Sequence, residues 1–162
     1  ARASPFRDDY SVLGAHCDQV RVMAYDQHAI EARPRSEPAH AALDWVRAVV
    51  RYASSRIPPA KLHLGIPTYG WELRRHGARY ERVRAVAFPE LGSLLEGGLR
   101  SERSPGGELL VRRGQRVIVM SDARAVAERV AIAREHGLAG VVLFKLDGAE
   151  DPALWDAAFA RN

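Results

Sequence analysis

The chain has 162 residues, 47% of them hydrophobic and 27% charged, with a formal net charge of +4 at pH 7. That is the composition of a folded domain with a real core, and it excludes a disordered or fibrous chain. One cysteine, Cys17, excludes an internal disulfide and a cysteine-rich metal site, and no apolar run is long enough to span a membrane.

The basic balance is almost wholly arginine, since Lys61 and Lys145 are the only lysines. The arginines are scattered, in short pairs such as Arg74–Arg75 and Arg112–Arg113, with no long basic run or interleaved aromatics. Nucleic acid is therefore not expected as a partner. The opening stretch ARASPFRDDY has neither an initiator Met nor the apolar run of a signal peptide, so the chain is expected to begin within a longer or processed protein.

Asp9 is placed to cap a short helix through Cys17, with Val12 and Leu13 on its apolar side. A first strand is expected from about Val20 to Asp26, followed by a polar loop with Pro34 and Pro38. The segment HAALDWVRAVVRYASS reads as a helix, because Leu43, Val46, Val50 and Ala53 fall at helical spacing. Pro58 and Pro59 end it, and KLHLGIPTYG reads as a second strand closed by Gly70. A helix between two such strands is a βαβ unit, which implies parallel pairing.

Residues 72–121 are far more than a crossover helix needs. ARYERVRAV, ELLVRR and RVIVM look like short strands, SPGG like a turn, and FPELGSLLEGG like a short helix. This stretch is expected to be an inserted α+β lobe. A further helix, DARAVAERVAIAREHG, can be capped by Ser121 or Asp122, with Gly137 at its C′ position. A third strand follows from Gly140 to Leu146, and a last helix, DPALWDAAFA, has Pro152 in its first turn.

In parallel α/β sheets ligands bind beyond the carboxyl ends of the strands. Strand one ends Tyr25-Asp26-Gln27-His28, strand two Thr68-Tyr69-Gly70-Trp71, and strand three Phe144-Lys145-Leu146-Asp147. Aromatic faces suit the C–H faces of sugar rings, and carboxylates and amides suit their hydroxyls. On the residues alone, Tyr25-Asp26 can equally be a strand end with a capped turn. His28 has no partner at metal-ligand spacing, so no metal and no cofactor are expected. His16, His40, His63 and His76 read as surface or structural, and Trp45 and Trp155 as helix core. Lys145 reads equally as a functional cation or as a residue paired to a carboxylate.

The segment DDYSVLGAHCDQVRVMAYDQH resembles the sixth-strand region of glycoside hydrolase family 18, whose Met-x-Tyr-Asp motif appears here as MAYD. PPAKLHLGIPTYGWEL is similar to the seventh strand of its bacterial cell-wall and spore-cortex members. VIVMSDARAV and EHGLAGVVLFKLDGAEDPALWD resemble the segment through the eighth strand. The resemblance implies a (β/α)₈ barrel with an α+β insertion after strand seven, and cleavage of β-1,4 links in N-acetylglucosamine-containing glycans, chitin or peptidoglycan. It implies substrate-assisted retaining chemistry, an exception to the two-carboxylate scheme.

Carried over residue by residue, Tyr25 and Asp26 would be catalytic. They would hold the substrate acetamido group. Met23, Gln27, Tyr69, Trp71 and Phe144 would bind substrate, with Phe144 standing where the family usually has Trp. The family's Asp-x-x-Asp-x-Asp-x-Glu motif is absent from the chain, and Glu31, Glu37, Glu72, Asp147, Glu150 and Asp151 do not replace its acid convincingly.

The fold expected is thus α/β, the C-terminal portion of a TIM barrel, about strands six to eight. Such a piece has open sheet edges, so the N-terminal barrel half, or self-association, is expected as partner. The parent would be secreted or associated with the cell envelope, where such polymers are met. A non-catalytic glycan-binding module or a structural remnant stands as the alternative function.

Overall fold

The computed structural model describes residues 9–27, 37–77 and 79–159. The chain opens with α1, Tyr10–His16, where the Asp9 carboxylate accepts the Ser11 and Val12 amides at 2.9 and 3.4 Å. Leu13 packs toward Ile57 and Leu62, whereas Val12 stays 52% exposed.

Three strands form a parallel sheet in the order β1-β2-β8: β1 is Val20–Met23, β2 is Leu62–Pro67 and β8 is Gly140–Phe144. The register sets Met23 against Gly65 and Pro67 against Phe144, so the three carboxyl ends lie along one edge. The helices α2 (Leu43–Ser54), α4 (Ala123–Glu135) and α5 (Leu154–Phe159) pack on one face of this sheet. Leu64 and Ile66 of β2 meet Val46 and Val50 of α2 and Val126 and Val130 of α4 there. The α2 stripe is the one the spacing predicts. The side chain of Asp122 caps α4, and Gly137 follows it at φ 63° in the left-handed region where a Cβ would be strained. On the opposite face Arg21, Met23 and Phe144 of the two outer strands are exposed, while Gly65 and Pro67 of the central strand are buried.

Between β2 and β8 stands an antiparallel sheet of five strands in the order β4-β3-β7-β6-β5. Its strands are β3 Gly70–His76, β4 Arg79–Val86, β5 Ser101–Arg103, β6 Leu109–Arg113 and β7 Arg116–Met120, and α3, Phe88–Glu96, covers one face. Alternation sends Val111, Ile118 and Met120 to the α3 side and Leu110, Val117 and Val119 to the other.

Some element boundaries differ from expectation. β1 stops at Met23 rather than Asp26, and α2 begins at Leu43 rather than His40. KLHLGIPTYG is not one strand: the chain turns at Thr68–Tyr69, and Gly70 opens β3. That glycine serves close approach, because a Cβ on it would lie 2.6 Å from the Val119 carbonyl oxygen. β5 has three residues, too few to show a pattern. Trp155 is 49% exposed rather than core, beside exposed Phe159.

Two glycines give a test of this packing. Gly70→Ala should lower stability by about 1–3 kcal/mol, since the methyl meets backbone that cannot turn aside. Gly92→Ala should raise it by about 0.5–1 kcal/mol, because that position lies inside α3 with open space around it. Urea unfolding midpoints read both signs, and a Gly70→Ala variant as stable as its parent contradicts the account.

Candidate active site

The site is built where the three parallel strands end. Asp26 lies three residues past β1 with φ 58°, an uncommon conformation for a residue with a side chain. The loop holds it there. Its amide donates to His40 Nδ1 at 3.2 Å, and the next amide, of Gln27, donates to the His40 carbonyl at 2.9 Å.

Tyr69 and Trp71 come from the β2–β3 turn and the start of β3. Their rings lie edge to face with centroids 5.9 Å apart. Both reach the same oxygen: Asp26 Oδ1 accepts the Tyr69 hydroxyl at 2.9 Å and the Trp71 indole N–H at 2.8 Å. His40 Nδ1 lies 3.4 Å from that oxygen. Tyr25 stacks on Phe144 with ring centroids 5.8 Å apart and planes 8° from parallel, and Tyr69 meets the same Phe144 edge-on at 6.1 Å. Phe144 is 49% exposed, so this aromatic wall faces open space. Burial first, and the Asp26 carboxylate second, push the Tyr25 and Tyr69 hydroxyls above the ordinary phenol range. Both phenols are therefore neutral donors through the physiological range. A recess of about 230 Å³ adjoins Tyr69, bounded by Thr68, Val86, Glu90 and Lys145.

Of the residues singled out in the sequence, Tyr25, Asp26, Tyr69, Trp71 and Phe144 come together. Met23 lies on the sheet face away from the helices, 69% exposed. Gln27 does not reach the cleft surface: it is 0% exposed, and its Oε1 accepts the Ala42 amide at 2.9 Å. His28 and Glu31 fall outside the described residues. Lys145 is paired with Asp147. Glu72 sits between Arg116 and Arg84 at 2.7 and 2.9 Å, and hydrogen bonds from Arg116 first hold its carboxyl below the usual value despite burial. Asp151 is structural, accepting the Ala123 amide at 2.8 Å. Among the described residues no cluster of His, Cys, Asp and Glu could hold a metal ion, and no helix is long and apolar enough to cross a membrane.

The sequence reading missed three residues behind the site: His40, Glu108 and Arg129, each at most 1% exposed. Arg129 leaves a trace in the sequence, for it interrupts the apolar stripe of Val126, Val130 and Ala133 on α4. Glu108 stands just before an apolar strand and just past a turn. His40 sits among alanines ahead of an amphipathic helix.

Residues 2–149 match the family described as Glycosyl hydrolases family 18. The chain belongs to this family. It is 25% identical over 159 residues to the uncharacterized glycosylase YvbX of Bacillus subtilis, covering 92% of this chain and 44% of that protein. It is 26% identical to the cortical fragment-lytic enzyme of Bacillus anthracis, covering 91% of this chain and 35% of that protein. Among solved structures, the chitinase from Chromobacterium violaceum superposes with a TM-score of 0.77 at 30% identity, over 94% of this chain and 48% of that one. The chain thus spans less than half the length of these relatives. Its α/β architecture resembles the corresponding part of the family 18 chitinase.

Tyr69 supplies a pH test. Its hydroxyl ionises above the unfolded phenol value of about 10, so the folded state holds the proton more tightly. Its contribution is complete below about pH 10 and is lost as pH rises further. Urea midpoints should fall across that alkaline window, and Tyr69→Phe should flatten the fall. An unchanged slope in the variant would show that burial and the Asp26 carboxylate do not together hold the proton on this hydroxyl.

Proposed function

We propose that the chain is the C-terminal part, about strands six to eight, of a (β/α)₈ glycosidase barrel, with residues 72–121 as its α+β insertion. Its parent would hydrolyse β-1,4 links of N-acetylglucosamine-containing glycans, peptidoglycan or chitin, outside the cytoplasm. The observation that carries the reading is the Asp26 carboxylate at a parallel-strand end, held on one oxygen by Tyr69 and Trp71 beside the Tyr25–Phe144 stack. The names of the cortex-lytic and chitinase relatives support the glycan class. Parallel sheets are ordinarily covered on both faces, so the exposed Met23 and Phe144 on the face away from the helices support a missing barrel half as partner.

In this reading the substrate's acetamido oxygen attacks the anomeric carbon. The bond to the leaving oxygen breaks, and an enzyme acid protonates that oxygen. The Tyr25 hydroxyl, kept neutral, donates to the acetamido group, and Asp26 orients the same group through Oδ2, which has no protein donor among the described residues. Fixing that geometry is worth several kcal/mol of the barrier. Tyr69, Trp71, Phe144 and Met23 would line the sugar path, while Gln27 would serve it from below by bracing the loop. A general acid must hold a proton at working pH. Glu72 and Asp147 are held ionised, by Arg116 and Lys145 respectively. Since the family's Asp-x-x-Asp-x-Asp-x-Glu motif is absent from the sequence, the acid is assigned to a strand outside this chain.

In the complete enzyme, Tyr25→Phe should lower turnover of an N-acetylglucosaminide by roughly ten- to a thousandfold, the range of one transition-state hydrogen bond. Asp26→Ala should lower it too, with the fold intact by circular dichroism. The 162-residue chain alone should show no hydrolysis. Cleavage of a chitin oligosaccharide by this chain, abolished by Asp147→Asn or Glu150→Gln, would show the acid to be here after all.

A further inference from the structure

Residues 39–42 run behind Asp26 as irregular backbone, each at most 4% exposed. Two buried charges hold them. Glu108, from the insertion, accepts the His40 and Ala41 amides on Oε1 at 2.7 and 2.5 Å. Arg129, from α4, donates to the Ala41 carbonyl through Nε at 2.9 Å and through Nη2, and to the Gly106 carbonyl at 3.2 Å. The two charges lie 3.9 Å apart, and each residue is 1% exposed. A buried pair is a poor way to gain stability, because apolar residues of similar volume often do as well or better. What this pair holds is informative. The His40 backbone it fixes presents Nδ1 to the Asp26 amide, and Asp26 keeps a left-handed backbone that a non-glycine residue holds only when its surroundings impose it.

We infer that Glu108, paired with Arg129, is a positioning residue for Asp26. It acts through the His40–Ala41 backbone to seat the carboxylate against Tyr69 and Trp71. The consequence for turnover rests on the glycosidase reading above; the geometry does not. The insertion then takes part in the site from behind.

The Trp71 indole N–H donates to Asp26, so its ¹H–¹⁵N resonance in the intact protein reports where the carboxylate sits. Trp71→Phe assigns the signal, and Asp26→Ala marks its position with the bond gone. In Glu108→Ala the resonance should move most of the way to that mark. In Glu108→Gln, which keeps an acceptor oxygen, it should stay near the parent position. Val111→Ala, buried in β6 on the α3 side of the sheet and away from the Trp71 cluster, controls for lost stability alone and should leave the resonance in place. If Glu108→Ala does not fold, His40→Phe and His40→Asn carry the comparison: loss of the Nδ1 acceptor moves the signal, and the amide oxygen restores it. A resonance unmoved in Glu108→Ala or His40→Phe, or moved equally by Val111→Ala, overturns the inference. If the complete enzyme hydrolyses no glycan yet these shifts appear, the glycosidase reading falls and the positioning role stands.

Discussion

Buried backbone outside helix or sheet must have its N–H and C=O groups met one by one, and residues 39–42 set that requirement here. Glu108 takes two amides, Arg129 the Ala41 carbonyl, and Gln27 both the Ala42 amide and, through its own N–H, the His40 carbonyl. Gly106 accepts the Leu43 amide at 3.0 Å, which matters because Ala42 offers α2 no side-chain cap. The partners come from the loop after β1, from the insertion and from α4. One short run of chain thereby ties the parallel sheet, its covering helix and the antiparallel sheet together. Removing one member of a buried ion pair typically costs about 3–5 kcal/mol, whereas exposed pairs such as Arg47–Glu135 are worth at most about 1 kcal/mol. The buried network is therefore one of the links that set the two sheets, alongside the bidentate Arg103–Asp122 pair.

The same arrangement decides how Asp26 carries its charge. Among the described residues no Lys or Arg pairs with it; hydroxyl and indole dipoles meet it instead. Fixed neutral donors leave no cation to compete for the second carboxylate oxygen. The aromatic wall serves the same end. Tyr25 and Phe144 stack with nearly parallel planes, which leaves the half-exposed Phe144 ring as a flat platform beside the charge.

Much of this was legible from local patterns. Helical spacing marked α2, Asp9 and Asp122 marked their caps, and polar strand ends marked Asp26, Tyr69 and Trp71. What failed was whatever depends on distant partners. Gly70 read as a strand terminator, but its lack of a Cβ serves a contact with Val119, far along the chain. Gln27 read as a sugar ligand, because sequence does not tell a polar side chain that faces a cleft from one that satisfies buried backbone. His40 and Glu108 are 68 residues apart, and neither has a meaning alone that would suggest the other. Arg129 was the fairest clue, since a charge in an apolar helix stripe demands a partner.

Tyr69 and Trp71 lie on either side of Gly70, at the point where one sheet passes into the other. Their shared grip on one oxygen of Asp26 therefore joins the last residue before the antiparallel sheet and the second residue within it to the loop after β1. The carboxylate is thus a junction of three chain segments as well as a charge, and the cleft wall is stitched together at the atom the site presents.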